Sequence, residues 1–335
     1  MASTQSLFTR SKKNPILTAQ NWPYPAHTVF NPGATRLQDG STLLLCRVED
    51  FRGMSHLTVA RSKNGVDGWV VDPEPTMFPD PERRPEELWG LEDPRIVYMP
   101  EHETYFITYT AYSRSGPGVA IASTKDFKKF DYGGMIMQPD DKNAALLPRS
   151  FDGNYVLVHR PVTDRMAGLW IARSPDLTNC GSHELLLPAR RGGWWDANRI
   201  GLACPPIETS RGWLTLYHGV RTNGAGVLYR VGLALFDLEH PEIGLLRGDG
   251  WIFGPEESYE LEGDVGRVVF PCGYTIGDDG DSLNIYYGAA DTCIGLATTK
   301  ISMLLEWLDE HGSNLVGIAG MPAEQNDHAE QKPMF

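Results

Sequence analysis

Five segments of the chain repeat one outline, and this repeat constrains the fold more than any other feature of the sequence. Each segment has an apolar, strand-like run that ends in polar residues, a loop with glycine, and a second run that ends in small or hydroxyl residues. Another strand-like stretch precedes each pair of runs, so each unit holds at least three strands. The units recur every ~50–70 residues, a spacing typical of repeat architectures. The apolar runs begin at Thr42, Thr104, Asn154, Gly212 and Ser282.

Small antiparallel sheets repeated along a chain are typical of propellers, in which the sheets stand around a channel. The sequence therefore predicts an all-β fold, a five-bladed β-propeller with a central-channel active site. A β-sandwich is the alternative, because it also contains many short strands. It would not repeat one strand outline five times. We expect residues 1–29 to form an N-terminal extension that packs on the propeller or closes its ring, residues 30–310 to form the propeller catalytic domain, and residues 311–335 to form a polar, mobile tail.

Composition and charge exclude several classes of protein. The 335 residues carry a formal net charge of −13, which repels a phosphodiester backbone and argues against a nucleic-acid partner. No apolar run has the length of a bilayer span, and Met1–Lys13 lacks the apolar segment of a signal peptide. The five cysteines include no CxxC pair, which fits a reducing compartment. We expect a cytoplasmic protein without a membrane partner.

Polar residues recur at matched positions of the five units. One set stands where the first strand begins, and the other stands where the second strand ends. Because the start of one strand and the end of its antiparallel neighbour lie at one rim, these residues predict a polar site at the channel mouth. The first set is Asn31, Asp93, Asn143, Arg199 and Asp264, and the second is Arg47, His159, Arg160, His218 and Asp291.

The stretch from Trp89 to Arg95 contains two adjacent carboxyl groups. Strand alternation places Glu92 and Asp93 on opposite faces, so at most one of them faces the channel. Asp93 in a cleft walled by Trp89 would have a raised pKa and could act as an acid. The alternative is an aspartate that caps a turn and pairs with Arg95. Residue types alone favour the alternative.

Four basic residues, Lys142, Arg160, Arg199 and His218, are predicted at the same rim. Converging cations repel one another unless an anion lies between them, and phosphate suits both the planar guanidinium and the ammonium. Each residue alone could instead be solvated or paired with a carboxylate.

Trp194 and Trp195 lie in a long loop between units, where indoles either stack on sugars or pack against a blade.

These residues resemble glycoside hydrolase family 130, which contains β-mannoside phosphorylases and some β-mannosidases. The resemblance runs from about Asn14 to Leu305 and includes motifs from all five units. It implies a five-bladed β-propeller, in agreement with the repeat. The matching motifs begin at Asn31 after Val-Phe, Arg47-Val-Glu-Asp, Gly90-Leu-Glu-Asp-Pro-Arg, Lys142-Asn-Ala-Ala, His159-Arg-Pro, Tyr217-His-Gly and Tyr287-Gly-Ala-Ala-Asp.

The resemblance also implies roles for individual residues. Asp93 matches the family's catalytic acid. Arg199 stands where lysine is common in the family and Lys142 where arginine stands, and both keep the positive charge. His159 alternates away from the site and is left out. The positions that hold the mannosyl unit are matched by Asn31, Arg47 and Asp291, and the phosphate-binding set by Lys142, Asn143, Arg160, Arg199, His218 and Tyr229.

The implied activity is that of an inverting β-mannoside phosphorylase, a glycosyltransferase-type enzyme of carbohydrate metabolism. Inorganic phosphate is the co-substrate and attacks a terminal β-mannosyl unit, which gives α-mannose 1-phosphate and an acceptor sugar. No metal or organic cofactor is implied. The Arg47-Val-Glu-Asp stretch is closer to enzymes of β-1,4 bonds than to those of β-1,2 bonds. The expected partners are a mannoside or mannooligosaccharide, phosphate and a second copy of the chain in a homo-oligomer.

Two alternatives remain at this stage. A β-mannosidase on the same scaffold would need a second carboxylate to activate water, and Asp196, Glu208 and Asp264 are the candidates. A non-catalytic sugar-binding propeller is the other alternative. The acceptor sugar is left open, because loops such as Phe78–Leu88 and Arg190–Trp195 are expected to supply its contacts.

Overall fold

A computed structural model describes residues 7–162, 168–224 and 226–315, and these residues form five antiparallel sheets. The predicted five-bladed β-propeller is confirmed. Blade 1 consists of β2 (Thr28–Arg36), β3 (Thr42–Glu49), β4 (Ser55–Ser62) and β5 (Val70–Val71). Blade 2 consists of β6 (Leu91–Met99), β7 (Thr104–Ser113), β8 (Gly116–Thr124) and β9 (Asp131–Met137). Blade 3 consists of β10 (Asp141–Leu146), β11 (Tyr155–Pro161), β12 (Leu169–Ser174) and β13 (Gly181–Leu187).

The last two blades depart from this regular four-strand order. Blade 4 consists of β14 (Arg199–Leu202), β15 (Ile207–Thr209), β16 (Gly212–Asn223), β17 (Gly226–Phe236), β18 (Gly244–Gly248) and β22 (Gly312–Asn314). Blade 5 consists of β19 (Val269–Ile276), β20 (Ser282–Ala289), β21 (Cys293–Lys300) and β1 (Thr9–Arg10). The described helices are α1 (Ser258–Leu261), α2 (Ile301–His311) and short 3-10 turns at Ala19–Asn21, Pro85–Glu87 and Pro100–His102.

Apolar side chains on the facing surfaces of neighbouring blades form the core. Between blades 1 and 2, for example, Leu45 and Val59 belong to the same buried cluster as Ile107 and Tyr109. Alternation along each strand sends one set of side chains into such a layer on either face. None of the described helices has the length and apolar character that crossing a membrane requires.

Both ends of the described chain add strands to blades. Gly312–Asn314 lies within the predicted tail, yet it pairs with β18 at the edge of blade 4. Helix α2 connects β21 of blade 5 to this strand of blade 4, and Trp307 on α2 packs over Gly248. Residues 316–335, the rest of the predicted tail, lie outside the described residues.

The N-terminal segment supplies the outer strand of blade 5. Thr9 pairs with Thr298 and Arg10 with Ala297, so the first and last parts of the propeller share one sheet. A bridge between Leu17 and Ile294 continues this contact. The ring is therefore closed by hydrogen bonds between segments that lie far apart in the sequence.

A buried ion pair secures the closing strand. Glu260 is fully buried, and its carboxylate accepts hydrogen bonds from Arg10 Nε at 2.8 Å and Nη2 at 2.9 Å. The Tyr287 hydroxyl donates to the same carboxylate at 2.7 Å, and the backbone N–H of Glu256 does so at 2.7 Å. Such a carboxylate is stable only while its partners are in place.

Arg10→Ala leaves the Glu260 carboxylate buried without its cation. We expect the free energy of unfolding to fall by about 3–5 kcal/mol, the usual result of breaking a buried pair, as measured by urea denaturation. Arg36→Ala is the control, because the Arg36 partner Asp278 has an 88% exposed side chain and exposed pairs contribute little. Equal stabilities of the two variants would contradict a structural role for the closing pair.

Candidate active site

One cavity at the channel mouth collects residues from all five blades, and its volume is about 210 Å³. The ten residues predicted for the site all line it, so the sequence places them together correctly. Glu92, Val162, Val265, Val268 and Phe270 also line the cavity and were missed. The ten predicted residues are Asn31, Arg47, Asp93, Lys142, Asn143, Arg160, Arg199, His218, Tyr229 and Asp291.

Two polar residues predicted for the rim lie elsewhere. Strand β19 begins at Val269, five residues later than the outline of the repeat placed it, and the half-exposed Asp264 pairs with His27 at 2.9 Å. The ring of His159 bonds to Asp141 at 2.6 Å and faces away from the cavity, as strand alternation predicted. Where the Asp264 carboxylate was expected, the apolar residues Val268 and Phe270 line the cavity instead.

Four residues that line the cavity have left-handed backbone, namely Asp291 and three residues of the innermost strands. Asn31, Asp93 and Asn143 have φ angles of 44°, 49° and 55°, in the innermost strands of blades 1, 2 and 3. At each of them the pairing with the next strand slips, which marks a β-bulge. Asparagine and aspartate adopt this conformation more readily than most residues, and a bulge redirects a side chain.

The bulge corrects the prediction that at most one of Glu92 and Asp93 faces the channel. Both line the cavity, because the pairing slips between Glu92 and Arg95 and breaks the alternation there. Lys142 and Asn143 in blade 3 are adjacent in the same way, and both line the cavity.

Two glycine residues leave room for side chains that line the cavity. A Cβ atom on Gly288 would collide with the Asn31 side chain, and one on Gly201 would collide with the His218 ring. Glycine at both positions is therefore required by close packing at the floor of the site.

The Asp93 carboxylate is buried and held by two side chains. It accepts hydrogen bonds from Asn31 Nδ2 at 2.8 Å and from Arg47 Nη1 at 3.1 Å. The pairing with Arg95 expected of a turn cap is wrong, because the Arg95 guanidinium donates to backbone carbonyls, including that of Asp93 at 3.0 Å. Trp89 does not line the cavity.

The pKa of Asp93 lies below its usual value. Burial alone would raise this pKa, but the positive charges of Arg47 and Arg95 and the hydrogen bond from Asn31 outweigh burial. The prediction of a raised pKa at Asp93 is therefore wrong. The physical reason is the number of cations around the carboxylate.

Arg47 is the centre of a group of carboxylates on one side of the cavity. Its guanidinium contacts Glu92 at 3.0 Å, Asp93 at 3.1 Å and Glu49 at 3.5 Å. Asp291 belongs to the same group, and burial together with the charges of Asp93, Glu49 and Glu92 raises its pKa to about 7, against the opposing effect of Arg47. The Asp291 carboxyl group therefore keeps its proton up to near neutral pH.

The other side of the cavity, the cationic side, carries Arg160, Arg199 and His218. Lys142 lies between the two sides, where Glu92, Asp93 and Arg160 all act on its charge. Burial and the neighbouring Arg199 lower the pKa of Arg160 to about 10. Burial and the cations around it hold the pKa of His218 well below its usual value, so this ring is neutral. Burial also lowers the pKa of Lys142, despite the attraction of Glu92 and Asp93.

Several buried donors on the cationic side have no hydrogen-bond partner within the described protein. They are Nε of Arg160, Nδ2 of Asn143 and Nδ1 of His218. At the rim, Arg199 donates to the Tyr229 hydroxyl at 2.8 Å. Crowded cations and unpartnered donors together form a binding site for an anion with several oxygens.

The carboxylates considered for a second catalytic group do not line the cavity. Asp196 is buried against Arg247 at 2.7 Å, and Glu208 lies 3.5 Å from Arg149. The loops Phe78–Leu88 and Arg190–Trp195 also contribute no residue to its lining. Among the described residues, no group of three or more histidine, cysteine, aspartate or glutamate side chains could hold a metal ion.

The sequence of residues 7–310 matches the model of glycoside hydrolase family 130, described as β-1,4-mannooligosaccharide phosphorylase. The β-1,2-mannobiose phosphorylase of Listeria innocua is 38% identical over 76% of this chain and 69% of its own length. The β-1,4-mannooligosaccharide phosphorylase of Ruminococcus albus is 30% identical over 93% of this chain and 94% of its own length.

Solved structures give the same picture. The Listeria innocua β-1,2-mannobiose phosphorylase in complex with β-1,2-mannobiose has a TM-score of 0.82 at 31% identity, over 91% of this chain and 99% of that one. A second solved structure has a TM-score of 0.77 at 26% identity, over 88% of this chain and 94% of that one. It is described with the statement that the GH130 family of mannoside phosphorylases contains glycoside hydrolases that target β-1,2 mannosidic linkages in Candida mannan.

Asp291→Asn is expected to change how stability depends on pH. The folded protein keeps Asp291 protonated up to about pH 7, whereas the unfolded chain ionises it near pH ~4. The contribution of protonated Asp291 to the free energy of unfolding is complete below pH ~4 and is lost as the pH rises through ~7. The variant should therefore lose less stability than the wild type between pH ~5 and ~7.5 in urea unfolding.

The control for this measurement is Asp131→Asn, which removes a carboxylate from an exposed position on β9. It should follow the pH dependence of the wild type. If Asp291→Asn does the same, Asp291 is ionised in the folded protein and the proton described for the carboxylate side is absent.

Proposed function

The chain belongs to glycoside hydrolase family 130, and from this membership we propose that it is an inverting β-mannoside phosphorylase. A terminal β-mannosyl unit occupies the carboxylate side of the cavity, with Asn31, Arg47 and Asp291 as its partners. Phosphate occupies the cationic side, held by Lys142, Asn143, Arg160, Arg199, His218 and Tyr229. The products are α-mannose 1-phosphate and an acceptor sugar.

The observation that carries this proposal is the crowding of Lys142, Arg160 and Arg199 at the cavity, together with buried donors that have no partner among the described residues. The lowered pKa values of Arg160 and Lys142 reflect burial and mutual repulsion, which a phosphate dianion offsets. The free Nε of Arg160 and the free Nδ2 of Asn143 supply donors for its oxygens. Phosphate held in this way needs no base, because it is already an anionic nucleophile.

Asp93 supplies the proton that the leaving oxygen requires. The cations around the Asp93 carboxylate lower its pKa. Phosphate bound near Lys142 and Arg160 offsets part of that positive charge, and sugar hydroxyls replace water, so the pKa of Asp93 rises in the complex. Asp93 then gives its proton to the departing oxygen, through a sugar hydroxyl as in the family. A phosphate oxygen bonds to the anomeric carbon as the bond to the acceptor breaks.

Hydrolysis on the same scaffold is less well supported. An inverting hydrolase needs a carboxylate base on the face of the sugar opposite the acid. Among the described residues that line the cavity, the carboxylates Glu92, Asp93 and Asp291 accompany Arg47, and the opposite side carries the cations. None of the described residues on the cationic side of the cavity is a carboxylate that could activate a water molecule.

Two linkages have support from the relatives. The family model is described for β-1,4-mannooligosaccharides, in line with the linkage predicted from the stretch that begins at Arg47. The relative at 38% identity is named for β-1,2-mannobiose. We propose the β-1,4 linkage, and the structure of the synthetic product distinguishes it from the β-1,2 linkage.

The synthetic direction tests the proposal. Wild-type protein is incubated with α-mannose 1-phosphate and glucose, mannose, N-acetylglucosamine or mannooligosaccharides, and release of inorganic phosphate is followed. We expect acceptor-dependent release and a β-linked product whose linkage is read by NMR. Asp93→Asn should lower kcat by about 10²–10⁴-fold, the usual loss when a general acid is removed.

Release of mannose from β-mannosides in phosphate-free buffer, with no synthesis from any acceptor, would establish a hydrolase instead. Binding of mannosides without turnover in either assay would establish a sugar-binding propeller.

Arg160→Ala tests the phosphate side separately. We expect the KM for phosphate to rise by roughly 10–100-fold, because hydrogen bonds to charged groups contribute ~1.5–3 kcal/mol, while the KM for the mannoside changes little. Arg173→Ala is the matched control, since Arg173 pairs with Glu242 at 2.7 Å on β12 of the same blade and does not line the cavity. A mannoside KM that rises as much as the phosphate KM would contradict the assignment of Arg160.

A further inference from the structure

A groove on blade 4, outside the cavity, exposes two indole rings. We call it the tryptophan groove and define it by Trp194, Trp251, Arg221, Leu228, Arg230 and Asp249, which line a volume of about 450 Å³. Trp194 is 43% exposed and Trp251 is 36% exposed. Exposed large aromatic side chains in a concave surface indicate a binding site rather than packing.

Each indole is held in place by a guanidinium group. The Arg190 guanidinium lies 4.2 Å from the ring centre of Trp194, and that of Arg230 lies 3.6 Å from the ring centre of Trp251. Arg190 in turn donates to Asp249 Oδ1 at 2.8 Å. These contacts fix the rings before a ligand binds, which lowers the entropic cost of binding.

The loop that carries Trp194 is anchored as well. Arg221 donates to the carbonyl oxygens of Gly193 and Trp194. Trp195 is buried, stacks on Tyr217 with ring centres 5.7 Å apart, and donates to the Asp249 carbonyl at 3.0 Å. Of the two adjacent tryptophans, one therefore packs against the blade and the other is free for a ligand.

The groove is separate from the cavity, although both use the hairpin of β16 and β17. Tyr229 lines the cavity, whereas its neighbours Leu228 and Arg230 line the groove. Because alternate residues of a strand face opposite sides, the hairpin stands between the two sites.

We propose that the tryptophan groove is a second carbohydrate site, which binds units of a β-linked mannan chain away from the reaction cavity. The proposal rests on the proposed function for its ligand class. A pyranose stacks its apolar face on an indole, and its hydroxyls bond to charged side chains at the edge. Arg190 and Asp249 are paired with each other, and the guanidinium groups of Arg221 and Arg230 add donors that the hydroxyls of a chain can use. Two separate indoles suit a chain better than a single sugar.

Binding at this site would hold a mannan chain close to the cavity. A tethered chain presents its end to the cavity at a raised effective concentration. The groove would therefore increase activity on long chains more than on disaccharides.

Affinity electrophoresis tests the proposal. Native gels contain soluble β-1,4-linked or β-1,2-linked mannan, and the retardation of each protein is compared with a gel without polysaccharide. We expect wild type to be retarded in at least one gel, and the Trp194→Ala/Trp251→Ala double variant to bind about tenfold more weakly, from the loss of two stacking contacts. The double variant Trp194→Phe/Trp251→Phe should recover part of the retardation. Circular dichroism and thermal unfolding check that the variants are folded.

A cavity variant separates the two sites. Arg47→Ala should keep the retardation if the groove binds the polymer. Retardation that is lost in Arg47→Ala but kept in the tryptophan variants overturns the proposal, as does a wild type that is not retarded. A change of sedimentation coefficient in the tryptophan variants without a change of retardation would make the groove a contact between copies of the chain, and also overturns it. Phosphorolysis by wild type is assayed independently, so failure of the proposed function is seen there.

Discussion

The ring must be closed by strands that are far apart in the sequence, and every other feature of the structure depends on this closure. Blade 5 is complete only when Thr9–Arg10 pairs with β21. The buried carboxylate of Glu260 ties Arg10 to that blade through two hydrogen bonds. Because a propeller blade packs only against its two neighbours, an open ring would expose the core on both sides of the gap. The cavity needs residues from all five blades, so it exists only in the closed ring.

Within the ring, the cavity is divided into a carboxylate side and a cationic side. Arg47 gathers carboxylates from three blades on one side, and burial raises the pKa of Asp291 in that group. On the other side, burial and mutual repulsion lower the pKa of Arg160 and His218. A neutral sugar with many hydroxyls suits the first environment and an anion suits the second.

Blade 4 contributes residues to the cavity and to the tryptophan groove. Its long hairpin, β16 with β17, presents Tyr229 to the cavity and Arg230 to the tryptophan groove. Period-two alternation makes one strand serve two surfaces. Only small residues fit where neighbouring segments pack closely on this hairpin, since a Cβ atom on Gly232 would lie 2.7 Å from the Trp195 ring. A hairpin of this length is therefore both a wall of the cavity and a support for the groove.

The repeated strand outline predicts the five units and the all-β class, and the matched polar positions predict eight of the ten residues that line the cavity. Local signals suffice for these, because a strand outline and a polar residue at each strand end require no knowledge of distant contacts. Lys142 is not one of the matched positions, and Tyr229 was predicted only from the resemblance to the family. Alternation also excluded His159 correctly. The same rule failed at Glu92, where a bulge with left-handed Asp93 turns two adjacent side chains to one cavity.

The folded chain fixes which groups surround each charge and which segments close the ring. The positive charge of Arg47, which belongs to another blade, lowers the pKa of Asp93. Side-chain alternation within one strand does not reveal this contact between blades. Asp264 was expected at the rim, but blade 5 begins at Val269 instead. Residues 312–314 were expected in a tail and form an edge strand. Electrostatic and edge-strand contacts join residues that are distant in sequence, so only the folded chain fixes them.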